Sequence, residues 1–316
     1  MSSELAIFGG KPIREKPFPS WPRVTDEIKY GLIDTLENDD WGMGSSAIDS
    51  FNRKFSKEHE AKYCLALHSG TSAIWVALKA IGVHAGDEVI IPSYTFIATA
   101  SAVILANGIP VFADINIENG NIDPNSIESL ITKKTKAIVP VHTGGSPVDM
   151  GRILNISEKY NIPVIEDAAQ AHGAEWRGKK VGALGMGGVF SFQTSKNMSS
   201  GEGGAIISNN ESFIEACFSY HNCGRVRNGK WYEHHRLGSN LRMSAFNAAV
   251  LTPQIDTLTD DFQLREKNRR IIDRAISDIS GLIPMKEIKG ARSSNHIYIC
   301  RYIEEEFSGI KRDIFF

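Results

Sequence analysis

With 316 residues, 42% of them hydrophobic, the chain can fill a large packed core and has no need of a disulfide framework. Its 35 basic and 37 acidic residues give a formal net charge of -2, which argues against a nucleic-acid partner or a strongly anionic membrane surface. No apolar stretch reaches the roughly 18 residues of a membrane span, and Cys64, Cys217, Cys223 and Cys300 match no metal-ligand spacing, so a reduced, cytoplasmic protein is expected.

Taken in order, residues 1–25 carry Pro12, Pro17, Pro19 and Pro22 around Phe18 and Trp21 and read as an arm lying on a surface, of the kind that often crosses a dimer interface. Helices are predicted over 27–36 and 46–59, the second with Ile48, Phe51 and Phe55 at helical spacing. From Tyr63 the pattern changes. Short apolar runs at 63–67, 88–91, 110–113, 137–141 and 163–166 alternate with helical patterns at 72–81, 95–105, 126–131 and 150–160. Strands buried on both faces and separated by helices are the signature of a parallel sheet with right-handed crossovers. Runs at 188–192 and 204–208 lack a helix between them, so one of the two is expected to run antiparallel. Two consecutive helices are predicted over 244–258 and 262–279, then a strand over 297–302. The expectation is an α/β chain with an arm at 1–25, a mostly parallel, doubly wound large domain at 26–255 and a small α/β domain at 256–316.

The stretch from Val189 to Ala205 sets Lys196 after an apolar strand containing Ser191 and before a glycine-rich turn. A lysine held in a constrained loop suits Schiff-base chemistry, although lysines near glycines are commonly solvated surface residues. In an open parallel sheet ligands bind beyond the carboxyl ends of the strands, and several of those ends carry unusual polar sequence. Gly70-Thr71-Ser72 opens a helix and offers either a phosphate cradle or an ordinary cap. Phe96 could stack on a ring or pack in the core. Asp167 could hold the proton of a ring nitrogen or cap the next segment, and Gln170 and His172 could orient ring substituents or be satisfied buried polar groups.

As an ordered set these residues resemble the pyridoxal-phosphate-dependent aminotransferases of the DegT/StrS type, which make amino sugars and aminocyclitols. The resemblance is carried by Ser69-Gly70-Thr71, Gly86-Asp87-Glu88-Val89-Ile90 with Pro92-Ser93-Tyr94-Thr95-Phe96, Lys136 to His142, Glu166-Asp167-Ala168-Ala169-Gln170, Phe190-Ser191-Phe192 with Lys196, and Gly238-Ser239-Asn240-Leu241-Arg242. It implies a fold-type-I homodimer with active sites at the subunit boundary and pyridoxal 5'-phosphate as cofactor. By the same resemblance Lys196 matches the Schiff-base lysine, Asp167 the partner of the pyridine nitrogen and Phe96 the stacking aromatic. Gly70, Thr71 and Ser72 with Ser191 match the phosphate site, Gln170 the residue beside the ring, and Asn240 an asparagine reaching the phosphate from the neighbouring subunit.

The implied reaction moves an amino group from glutamate or glutamine to a keto-sugar or keto-cyclitol. Residues 17–22, 221–225 and 238–240 look more like the branch acting on keto-cyclitols and aminohydroxybenzoate precursors than the nucleotide-sugar branch. Arg225, Arg227 and Arg242 are candidates for the donor carboxylate. His234 and His235 near Cys223 do not make a metal site, and Gly182, Gly185, Gly187 and Gly188 do not follow the first strand as a dinucleotide fingerprint requires. Because 307–316 starts a helix of the small domain and stops, that domain is expected to be incomplete; the alternative reading is a cofactor-binding protein that is catalytically silent.

Overall fold

The computed structural model describes residues 5–315. Helix α1 (Asp26–Glu37) begins at Thr25 and α2 (Ser46–Glu58) at Ser45, each hydroxyl accepting a free amide of the first turn. There follow β1 (Tyr63–Leu67), α3 (Gly70–Ala80), β2 (Glu88–Pro92), α4 (Ile97–Leu105), β3 (Ile109–Ala113), α5 (Pro124–Leu130), β4 (Thr135–Ile138), α6 (Met150–Tyr160) and β5 (Ile165–Asp167). Two short strands, β6 (Glu175–Trp176) and β7 (Lys179–Lys180), precede β8 (Gly187–Ser191), β9 (Gly204–Ser208) and α7 (Glu211–His221). The chain continues through α8 (Ala245–Ile276), β10 (Leu282–Pro284), β11 (Ala291–Arg292), β12 (Cys300–Tyr302) and α9 (Arg312–Phe315).

A parallel three-stranded sheet, β3-β2-β4, meets a four-stranded sheet, β5-β8-β9-β1. Parallel bridges Ile138 to Val164 and Val141 to Asp167 join them edge to edge, and the Asp167 amide donates to the Pro140 carbonyl at 2.9 Å. Strand β9 opposes both neighbours. It does so because the link from β8 holds no crossover helix, and only an antiparallel return is open to a short connection. Every residue of β8 and β9 is buried, as unbroken apolar runs demand.

Two apolar layers flank the sheet. On one side Phe51 and Phe55 of α2, both 0% exposed, meet Phe190 and Phe192, with the Phe55 ring centred 5.1 and 5.4 Å from theirs. Each such ring contributes about 1.5–3 kcal/mol by leaving water. On the other side Val76 and Leu78 of α3 pack with Phe213 and Cys217 of α7.

The structure corrects the sequence in three places. The two helices predicted over 244–279 are the single helix α8, which runs through Pro253 and across the expected boundary at 255. Between the two predicted segments Thr259 and Asp260 are exposed, while Asp261 pairs with Arg23 of the arm. Helix α4 starts at Ile97, with Phe96 in extended conformation at the N-cap. Last, β11 pairs with β6, Ala291 opposite Trp176, which joins the C-terminal segment to the short strands β6 and β7 in a separate three-stranded sheet. Among the described residues no helix is long and apolar enough to cross a membrane, and no group of His, Cys, Asp or Glu could hold a metal.

Candidate active site

The carboxyl ends of β1, β2, β5 and β8 open onto one cavity of about 690 Å³, lined by residues that include Gly70, Thr71, Phe96, Asp167, Gln170, Ser191 and Lys196. Its phosphate-sized corner is set by close packing. A Cβ on Gly70 would lie 2.7 Å from Ser191 Cβ, so only glycine lets the N-terminus of α3 reach the end of β8. The first amides of α3 and the Ser191 hydroxyl thereby face one space, with the helix dipole favouring an anion. Ser72 takes no part in the lining: its hydroxyl is engaged by Ser69 Oγ at 2.9 Å and His68 Nε2 at 3.0 Å.

Asp167 ends β5 with 5% exposure. Its Oδ2 accepts from Thr99 Oγ1 at 2.8 Å and its Oδ1 from the Ala169 amide at 3.1 Å. Burial holds its carboxyl above the usual range, against the opposing pull of these hydrogen bonds, Lys196 and His142. Phe96 lines the cavity with 71% of its surface exposed. Gln170 fixes the floor, its Oε1 accepting from the Gly144 amide at 2.7 Å.

The lysine loop is clamped from several sides. Gln193 Oε1 accepts from the Ser195 amide at 2.9 Å, Trp21 Nε1 of the arm donates to the Thr194 carbonyl at 3.1 Å, and Gln254 of α8 grips Ser199 through both its amide and its carbonyl. Burial lowers the Lys196 pKa below its ordinary value, with Asp167 opposing. The shift is toward the neutral amine.

Sequence reasoning missed the far wall, formed by His296, Ile297 and Ile299. Asn197 Nδ2 donates to the Ser294 carbonyl at 3.1 Å, which leaves Asn197 Oδ1 to accept from His296 Nδ1 at 3.3 Å. The His296 amide is held in turn by the Gly144 carbonyl at 2.9 Å. Burial, and after it the nearness of Lys196 and Arg265, lowers the His296 pKa to about 4, so a neutral imidazole completes the wall. The run Ser293-Ser294-Asn295-His296 ahead of an apolar strand was the available signal. Thr99, which orients Asp167, could have been found from its place one helical turn after Thr95.

Other expected residues lie elsewhere. His172 is fully buried against Phe190 and Phe192, outside the cavity lining; neither ring nitrogen finds a hydrogen-bond partner, and burial drives its pKa well below 6.5. Asn240 is exposed and bridges Asn222 outside this chain's own cavity. Arg225 bonds the Trp231 carbonyl, Arg227 pairs with Glu215 and Arg242 bonds Asn222, and none of them lines the cavity.

The pocket fits the cofactor that the resemblance implies. Buried Asp167 has no cation in hydrogen-bond contact, and a protonated ring nitrogen would supply one; Gly70, Thr71 and Ser191 suit a phosphate, and Lys196 a carbonyl carbon.

Comparison with known proteins bears on the same point. The profile of the DegT/DnrJ/EryC1/StrS aminotransferase family matches residues 22–315. The chain is 37% identical to 3-amino-5-hydroxybenzoate synthase of Amycolatopsis mediterranei (strain S699) over 90% of its own length and 74% of that protein. It is 37% identical to L-glutamine:2-deoxy-scyllo-inosose aminotransferase of Streptomyces kanamyceticus, covering 98% of this chain and 76% of that one. A crystal structure of 3-amino-5-hydroxybenzoic acid synthase superposes with a TM-score of 0.85 at 37% identity, over 88% of this chain and 74% of the other. Fold, cavity chemistry and similarity over most of the length agree: the chain belongs to the DegT/DnrJ/EryC1/StrS aminotransferase family and is a fold-type-I, pyridoxal-phosphate-dependent aminotransferase.

Proposed function

We propose that the protein transfers the amino group of glutamine to the ketone of a cyclitol in aminocyclitol biosynthesis. The observation that carries this reading is the 37% identity, over 98% of the chain, to an aminotransferase named for glutamine and 2-deoxy-scyllo-inosose. The direct test supplies amino-labelled glutamine, pyridoxal phosphate and 2-deoxy-scyllo-inosose. Mass spectrometry should find the label in an aminocyclitol, and an unlabelled product would overturn the reading.

When bound, pyridoxal phosphate supplies an electron-accepting ring and a carrier for nitrogen. Lys196 would anchor it, and its free Nζ would remove the donor's α-proton and later deliver a proton to the acceptor carbon. Asp167 keeps the ring nitrogen protonated, with Thr99 fixing the carboxylate's orientation. Phe96 would cover one ring face, Gln170 would stand beside the ring, and Gly70, Thr71 and Ser191 would hold the phosphate.

A second copy of the chain supports the same site. Phe96, Ile97, Ile104 and Leu105 leave an apolar stripe on α4 that is 60% or more exposed at every one of these positions, which suits burial in a homodimer. Asn240, free of its own chain's cavity, then reaches the phosphate of the neighbour. The free thiols of Cys64, Cys217, Cys223 and Cys300 suit a reducing compartment, and we assign the cytoplasm.

Two substitutions test the residue roles. Asp167→Asn removes a buried countercharge and should lower turnover by roughly 10²–10³-fold, read from initial rates at saturating cofactor. Gly70→Ala drives a methyl group into Ser191. Overpacking of this kind costs about 1–3 kcal/mol, so the cofactor should dissociate measurably faster during gel filtration, with the protein still folded by circular dichroism.

A further inference from the structure

Glu202 stands at the solvent side of the cavity, where the cofactor roles leave it unused. Its backbone is fixed: the Glu202 carbonyl accepts from Ser200 Oγ at 2.7 Å and from Asn247 Nδ2 at 2.9 Å. The residue lines the cavity and is exposed. Its carboxylate forms no hydrogen bond or ion pair with any described residue. The lining's other carboxylate, Asp167, is buried and occupied by Thr99 and the Ala169 amide.

An ionised carboxylate is a pure acceptor with two oxygens. A ligand that brings hydroxyl hydrogens in pairs satisfies it with charge-assisted bonds, whereas an acceptor that sets its own negative charge beside Glu202 is repelled. We propose that the Glu202 carboxylate accepts hydrogen bonds from neighbouring ring hydroxyls of an uncharged cyclic polyol ketone, and so selects such an acceptor over one carrying phosphate or carboxylate. This inference rests on the reading of the protein as a glutamine-dependent cyclitol aminotransferase and deepens it to a specificity residue.

The experiment uses the full chain loaded with pyridoxal phosphate. Calorimetry measures binding of the unreactive alcohol made by reducing the ketone of 2-deoxy-scyllo-inosose, and steady-state rates give separate KM values for glutamine and for the ketone. Glu202→Gln should weaken alcohol binding and raise the ketone KM by about tenfold, the loss expected of one hydrogen bond to a charged group, with a clearly smaller rise for glutamine. Glu202→Lys should lose more with the cyclitol and gain relative turnover of a nucleoside-diphosphate keto-sugar. Alcohol affinity and ketone KM within about twofold of wild type in Glu202→Gln would overturn the proposal, as would an equal rise in both KM values or a change of oligomeric state on gel filtration. Wild-type protein that binds the alcohol yet transfers no nitrogen counts against the aminotransfer reading, and the comparison of alcohol affinities still decides the role of Glu202. Wild-type protein that binds no cyclitol overturns the role itself.

Discussion

Lys196→Ala is expected to lower amino transfer by on the order of 10⁴-fold, because the one change removes both the covalent anchor and the group that moves the proton. Two readouts separate these losses. Borohydride should fix the cofactor's mass to the wild-type chain and leave Lys196→Ala unmodified, while an added small primary amine should restore a fraction of proton transfer only in the variant. The site itself should survive the substitution. The loop around Lys196 is held by Trp21, Gln193, Asn197 and Gln254, none of which bonds the lysine side chain. Covalent attachment of the cofactor persisting in Lys196→Ala would show that another amine carries it.

The parts legible in the sequence were those set by local pattern. Strands β8 and β9 announced themselves because both faces are buried, and the missing helix between them gave the antiparallel turn. Asp167, Gly70, Thr71 and Lys196 come together in one cavity because strand ends of a parallel sheet gather polar residues at one rim. What escaped depends on contacts between distant segments. Strands β6 and β11 are two residues each and lie more than a hundred positions apart, too short for any period to show. Likewise the Asn197 to His296 contact exists only once the Gly144-Gly145 turn has captured the chain at Ser294 and His296. Ser72 stands outside the lining for a different reason: a hydroxyl at the start of a helix is equally fit to bind a ligand or to bond its neighbours, and here it bonds Ser69 and His68.

Glu166→Ala should destabilise the fold by about 3–5 kcal/mol, a large share of the roughly 5–15 kcal/mol that holds such a chain folded. Adjacent residues of a strand face opposite ways, so while Asp167 meets the cavity, Glu166 turns into the protein, 0% exposed. There it accepts from the amides of Gly182 at 2.8 Å, Leu184 at 2.8 Å and Gly185 at 2.9 Å. The Val148 amide donates to His142 Nδ1, so the fourth donor is His142 Nε2, at 3.2 Å from Glu166 Oε2. Alanine would leave these donors without an acceptor, and each buried orphan costs about 1–3 kcal/mol. The glycines that failed as a dinucleotide fingerprint thus have a structural purpose. Gly182, at φ 103°, turns its amide toward the carboxylate in a conformation side-chain-bearing residues avoid. The turn they form leads into β8, whose far end bears Ser191 and the lysine loop, so its collapse should also loosen the cofactor. Urea unfolding followed by tryptophan fluorescence measures the loss. Glu166→Gln, which keeps one acceptor oxygen, should lose clearly less than Glu166→Ala. A Glu166→Ala variant within about 1 kcal/mol of wild type would mean that the turn finds other acceptors and that Glu166 does not hold β8 in place.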